Sequence, residues 1–232
     1  MRAWDGNLAV DSALAAAYEV TMRRALCLVL DHHLGDLSEH VRGKGPASGL
    51  WGDHSWEWFI RLLETPDSPW FDLGRGERRD DILRLALRQA VDYLAEALGP
   101  QVQGWRWGRL HRLTFGHTLG VRPPLDRALS LGPFPIGGDG STIWSTYTSR
   151  LDLSRSEVIG PPFRFIADLG DLDHCWGLLA PGQSGHRASK HYGDGVQAWF
   201  TAGYHPMLFR RDEVEQHAEA RLRLEPSTDS RR

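Results

Sequence analysis

Residues 163–209, FRFIADLGDLDHCWGLLAPGQSGHRASKHYGDGVQAWFTAGYHPMLF, compress much of the fold into one span. Residues 163–169 and 174–180 are apolar runs on either side of Gly170-Asp171, the pattern of two strands joined by a turn. The polar segment Pro181-Gly182-Gln183-Ser184-Gly185-His186 follows and reads as a loop. Residues 196–202 are aromatic and amphipathic and fit a helix or a strand. Residues 212–221 fit a polar helix, and 226–232 a frayed tail.

Working back toward the N-terminus, residues 141–149 alternate Ile143, Ser145 and Tyr147 against Thr142, Trp144, Thr146 and Thr148, the period of a strand. Four prolines within 123–135 predict a folded loop. Residues 109–115 suit a strand. Further back the period lengthens. Leu83, Leu87, Ala90, Leu94 and Leu98 recur at steps of three and four, so 80–98 is a helix. Asp80 and Asp81 favour its positive end, and Gly99-Pro100 closes it. Residues 55–63 carry Trp56, Phe59, Ile60 and Leu63 on one helical face and halt at Thr65-Pro66, since the residue before proline avoids the α region. Residues 41–52 are glycine-rich and read as loop. Val10, Leu14, Ala17, Leu26, Val29 and Leu30 predict a helix over 8–30, with Asp11 or Ser12 as its cap and Gly35 as its stop.

Composition narrows the function classes. The net charge is -3 over 232 residues, and no basic stripe of the kind nucleic acid requires is present. The apolar runs are much shorter than the roughly 20 residues that span a bilayer. The opening MRAWDGNLAV lacks the charged and apolar regions of a signal peptide. Cys27 and Cys175 are the only cysteines and read as free, buried thiols. Trp51, Trp56, Trp58 and Trp70 form either a ligand platform or, at helical spacing, core packing.

Several residues invite chemical readings. Ser184 sits near a nucleophile elbow, but His186 stands where that motif needs glycine. A glycine-rich turn whose side chains bond their own backbone explains Ser184 and His186 better. His186 and His191 are five apart in a loop, a weak metal signal. Gly137-Gly138-Asp139-Gly140 is a turn, with Asp139 either bonding nearby amides or serving as a buried carboxylate. His117 follows a strand and suits a pocket hydrogen bond or a core position. Asp168, Asp171 and Asp173 lack calcium-loop spacing and read as a solvated turn. His32-His33 suits a helix C-terminus. No catalytic set emerges from these residues.

An ordered series of motifs goes further: Trp4-Asp5-Gly6, Tyr18-Glu19-Val20, Asp67-Ser68-Pro69-Trp70-Phe71, and the run from Trp105 through His111 into Phe115-Gly116-His117. Gly132-Pro133-Phe134-Pro135, Gly137-Gly138-Asp139-Gly140, Asp168-Leu169-Gly170-Asp171, 181–186 and Gly203-Tyr204-His205-Pro206 follow. Together they resemble the C-terminal portion of the long chain of the penicillin acylase family, amide hydrolases with an N-terminal nucleophile. The resemblance implies an α+β fold, the C-terminal part of a four-layer αββα core. Residues 1–107 would form a helical region, 108–220 a strand-rich region returning to the core, and 221–232 a flexible tail.

It also implies hydrolysis of linear amides by an N-terminal serine whose own α-amino group takes the proton, with an oxyanion hole that includes an asparagine. Neither the Gly-Ser junction nor the Ser-Asn-Asn-Trp segment of the family has a match here, and Asn7 is the chain's only Asn. The expected catalytic set is therefore outside this chain, which leaves His117, Asp139, Ser184 and His186 as pocket or core-polar candidates. No cofactor is expected within the chain, and the family's calcium site is expected upstream. The expected partner is the missing N-terminal part or a complementary acylase chain, with a small acyl amide as substrate of the complete enzyme and neither nucleic acid nor membrane involved. Members are commonly periplasmic or secreted. A non-catalytic structural or binding module of the same family is the alternative. Either way, Trp144, Phe163, Phe165 or Trp176 should lie partly open when the chain stands alone.

Overall fold

The computed structural model describes residues 4–41, 48–148 and 158–226, and side chains at 48–54, 148 and 158–159 are outside that description. The chain divides into two compact units, Met1–Pro161 and Pro162–Arg232.

The first unit is built on two long helices, α1 (Ala13–Leu34) and α4 (Arg79–Leu98), which pack on each other. Ser12 begins α1, its Oγ accepting from Ala15 N at 3.1 Å. Gly35 ends it at φ 52, its N–H donating to Asp31 O. Between them run α2 (Leu37–Val41) and α3 (Ser48–Leu62). α3 starts seven residues before the expected Ser55, because Gly49 and Gly52 are carried inside a helix that Trp56, Phe59 and Leu62 anchor by burial. Tertiary packing outweighs the cost of glycine there.

Two apolar clusters make the core of this unit. One gathers Met22, Ala25, Leu26, Val29 and Leu30 with Phe59, Leu62, Phe71, Ile82 and Ala86. The other gathers Leu8, Ala15, Ala16, Val20, Ala90, Leu94, Trp105 and Trp107. The buried stripe of α4 is therefore Ile82, Ala86, Ala90 and Leu94. Leu87 stays exposed. Small residues at the crossing let two helices approach closely, so alanine takes positions that a count of large apolar side chains assigns to leucine. Trp56, Trp58 and Trp70 pack against the first cluster, with Trp58 edge-on to Trp70 at 4.9 Å. His33 Nε2 meets Trp70 O at 3.0 Å. The Trp51 side chain lies outside the described residues.

After Gly99 come a short helix α5 (Trp107–Leu110) and strand β1 (Arg112–Phe115). The expected strand over 109–115 thus spends its first residues in a helical turn. Residues 123–135, expected as loop, contain α6 (Leu125–Leu129) and β2 (Leu131–Pro135). Proline is tolerated in β2 because the strand lies at the sheet edge. Residues 141–149 alternate with the period of a strand, yet only β3 (Tyr147–Thr148) is extended there, and Ser149 lies outside the described residues. The Asp139 side chain claims the amides of Ser141 and Thr142, which turns the backbone away from any ladder. With β4 (Val158–Ile159) the sheet runs β2-β1-β4-β3. Leu113 pairs antiparallel with Phe134 and parallel with Val158.

The second unit holds the expected hairpin. β5 (Phe163–Ile166) pairs antiparallel with β6 (Trp176–Leu179), Phe163 opposite Leu179 and Phe165 opposite Gly177. β7 (His205–Pro206) adds to the other side of β6. α7 (Gly195–Phe200) decides the 196–202 ambiguity in favour of helix, and α8 (Arg211–Gln216) is shorter than the expected 212–221. The strand-rich character expected for 108–220 is realised only as strands of two to five residues with α6, α7 and α8 among them. Cys27 and Cys175 form no disulfide with each other; Cys175 is buried and Cys27 half-buried. Among the described residues no helix is long and apolar enough to cross a membrane.

Candidate functional site

Among the described residues, the three polar side chains with no exposure gather where α1 meets the turn that follows β2, with Asp139 and Arg23 beside them. Glu19, His111 and Thr146 have 0 % exposure, Asp139 5 % and Arg23 9 %. Helical spacing of four puts Glu19 and Arg23 on one face of α1. Arg23 Nε and Nη2 donate to Glu19 Oε2 at 3.3 and 3.2 Å. The other oxygen, Glu19 Oε1, receives no hydrogen bond.

His111 enters from the end of α5. Its ring stacks on Trp107 at 4.6 Å and 11°. Nδ1 lies 3.1 Å from Ile136 O and Nε2 lies 3.1 Å from Thr146 O. The neutral ring carries one N–H and so donates to one of these carbonyls at a time, holding one end of the turn at 136–146 and lying against the other. Asp139 holds the turn from within, its Oδ1 accepting from Ser141 N, Thr142 N and Ser141 Oγ, each at 2.9 Å. Thr142 Oγ1 accepts from Asp139 N at 3.0 Å. Thr146 Oγ1 donates to Gly137 O at 2.7 Å, and Trp107 Nε1 donates to Gly138 O at 2.9 Å. Gly138 adopts φ 75, and a side chain there would strike the Thr142 and Thr146 hydroxyls at 2.7 and 2.8 Å.

Burial governs the titration of Glu19, His111 and Tyr18. Burial lifts Glu19 to about 7; Arg23 opposes the shift and the neighbouring Asp139 carboxylate adds to it. Burial lowers His111 to about 4, against the pull of the Ile136 and Thr146 carbonyls. Burial also raises Tyr18, with Glu19 and Asp139 adding to it. The cluster fixes a turn to a helix and holds a titratable proton near neutrality. Its hydroxyls are committed to backbone groups and to Asp139, which leaves no nucleophile beside a free base.

The four candidates from the sequence occupy different turns. Asp139 is the buried carboxylate just described. His117 caps the short 3-10 turn Thr118–Val121, its Nδ1 accepting from Leu119 N at 3.1 Å. In the second unit Ser184 Oγ accepts from His186 N at 3.1 Å, and Ser184 N donates to His191 O. His186 Nδ1 accepts from Ala188 N at 3.3 Å. Ser184 and His186 therefore share a turn without a serine-to-imidazole bond. His191 bonds Asp194 at 2.7 Å and lies 3.6 Å from Glu219, which also takes a bond from Lys190 at 2.8 Å. Asp168 and Asp171 bond amides of their own turn. Among the described residues no group of three or more His, Cys, Asp or Glu side chains is placed to hold a metal ion. Reading the sequence residue by residue missed Glu19, Arg23, His111 and Thr146. The available signal was a Glu-x-x-x-Arg spacing inside an apolar helical stretch.

A family model described as penicillin amidase matches residues 1–216. The chain belongs to the penicillin amidase family. Relatives in this family include the acyl-homoserine lactone acylase QuiP of Pseudomonas aeruginosa, 28 % identical over 256 residues, covering 98 % of this chain and 28 % of that protein. The penicillin acylase 2 proenzyme of Pseudomonas sp. strain SE83 is 30 % identical over 237 residues, covering 97 % and 28 %. The chain thus spans about 28 % of the length of these penicillin amidase relatives. The thermostable penicillin G acylase of Alcaligenes faecalis superposes with a TM-score of 0.49 at 15 % identity, over 93 % of this chain and 38 % of that one, a likeness too distant to bear on the fold.

Proposed function

We propose that this chain is the C-terminal portion of a penicillin-amidase-type hydrolase of linear amides, and that the N-terminal serine and the oxyanion asparagine come from outside it. The family match and the share of the relatives' length support this reading. The observation that carries it is a half-open apolar sheet face. Phe163 and Phe165 stack at 6.1 Å and are 51 % and 52 % exposed, and Leu179, paired with Phe163, shares their face and is also exposed. Trp176 is exposed and Trp144 half-buried. Such a face suits a complementary acylase chain, whose strands would extend the two short sheets into the four layers of the family. Calcium, in this reading, is bound by segments outside the chain.

In the complete enzyme the serine hydroxyl attacks the acyl carbonyl, its own α-amino group accepts the proton and returns it to the departing amine, and water then cleaves the acyl-serine ester to release the acid and the free serine. The substrate is a small acyl amide. Chromogenic phenylacetyl and fatty-acyl amides test the idea. The purified chain alone should give no turnover, and co-expression with an upstream acylase segment should restore it. Turnover by the chain alone that vanishes in Ser184→Ala would overturn the proposal. The alternative, a non-catalytic module, draws support from the first unit, which carries two apolar clusters of its own. Complementation without turnover would favour it.

A further inference from the structure

We propose that Glu19, Asp139, Arg23 and His111 form a buried proton latch, in which one proton held between the two carboxyl groups fastens the turn at residues 137–147 to α1 and its loss loosens that turn. The reasoning is geometric. Glu19 Oε1 is buried and takes no hydrogen bond, while Oε2 takes both bonds from Arg23. The Asp139 carboxyl faces Glu19 closely enough to bond it. Two carboxylates have no donor between them, so that bond exists only when one acid is protonated. Asp139 is already served by three donors from Ser141 and Thr142, whereas Glu19 Oε1 has none. The proton therefore belongs to Glu19.

The imidazole is the other place a proton fits, since both its nitrogens face carbonyl oxygens. Burial and the Arg23 charge hold it neutral at pH 7, leaving Glu19 as the site. Tyr18 is the remaining titratable neighbour on α1, and it ionises far above this range. On α4, Tyr93 faces Arg24 instead.

The sign follows from linkage. Glu19 has a folded value near 7, above its unfolded value of 4.5. The folded chain therefore holds an extra proton between those limits and loses stability as pH rises through them. His111 changes in the opposite direction between about 4 and 6.5, so the wild-type melting curve alone would hide the effect. Comparing Glu19→Gln with wild type removes the histidine contribution. The full chain is melted at pH values from 5 to 8.5. The melting temperature of the variant minus that of wild type should widen by roughly 5 °C across that range. A gap constant to within about 1 °C overturns the proposal.

Carbon-13 carboxyl NMR on the wild type keeps the test open if the variant does not fold. A Glu19 midpoint near 7 supports the latch, and one in the ordinary range for a glutamate overturns it. Amide exchange at Ser141 and Thr142, corrected for intrinsic pH dependence, should quicken with the same midpoint. Protection that ignores the titration would leave no fastening to explain and would also overturn the proposal. These outcomes are independent of any amidase activity.

Discussion

Gly137 lies against the backbone of Leu8 and Val10 with no space for a side chain. A Cβ there would stand 2.6 Å from Leu8 O and 3.2 Å from Val10 N, and neither backbone atom can swing aside. Gly137→Ala should destabilise the chain by about 2 kcal/mol. Thr146→Val keeps the shape and removes the bond to Gly137 O, so about 1 kcal/mol should be lost. Gly116→Ala is the control, since nothing lies within 4 Å of the added carbon. Urea titration ranks the three, and equal midpoints for Gly137→Ala and Gly116→Ala would refute the close approach. At this scale the sequence was half legible. Asp139 declared itself through the glycines that flank it. Glu19 did not, because a Glu-x-x-x-Arg pair reads the same on a solvated helix face as in a core. What buries it is a turn more than a hundred residues away.

Among the elements, α8 and the residues after it depend on side-chain contacts more than on burial. Glu219 takes a bond from Lys190 and meets His191, which is also bonded to Asp194. The Asp194 bond, above all, raises His191, while Lys190 lowers Glu219. The histidine contribution is whole below its unfolded value of 6.5 and lost as pH rises through its raised folded value. The glutamate contribution is whole above 4.5 and lost as pH falls through its lowered one. Nitrogen-15 relaxation of residues 217–221 should therefore show the least motion at about pH 5–6, with more motion on the alkaline side. Motion unchanged up to pH 9 would argue against the clasp. Periodicity served the long elements well: Ser12, Gly35 and Gly99 punctuate α1 and α4 where capping chemistry expects. It failed at 141–149, where an aspartate side chain competes for the very amides a strand would use. It failed again at 123–135, where prolines sit at a sheet edge instead of excluding a strand.

For the whole molecule, the exposed Phe163, Phe165 and Leu179 face governs behaviour in solution. The chain on its own should bind a hydrophobic dye and self-associate in size exclusion. Phe163→Ser with Phe165→Ser should reduce both by several-fold and leave the melting of the first unit within about 1 °C, because surface changes away from packed groups cost little. A wild-type chain that runs as a dye-free monomer would count against the complementary-chain reading. The hairpin that carries this face was legible from apolar runs around Gly170-Asp171. The division of the chain at 161/162 was not, since no change in composition marks it. A different kind of consequence follows from α1. Its first half contributes Ala15, Ala16 and Val20 to one apolar cluster, and its second half contributes Met22 through Leu30 to the other. Neither cluster can melt while α1 stays folded for its neighbour, so heat should meet the first unit as one all-or-none transition with two cores on a common axle.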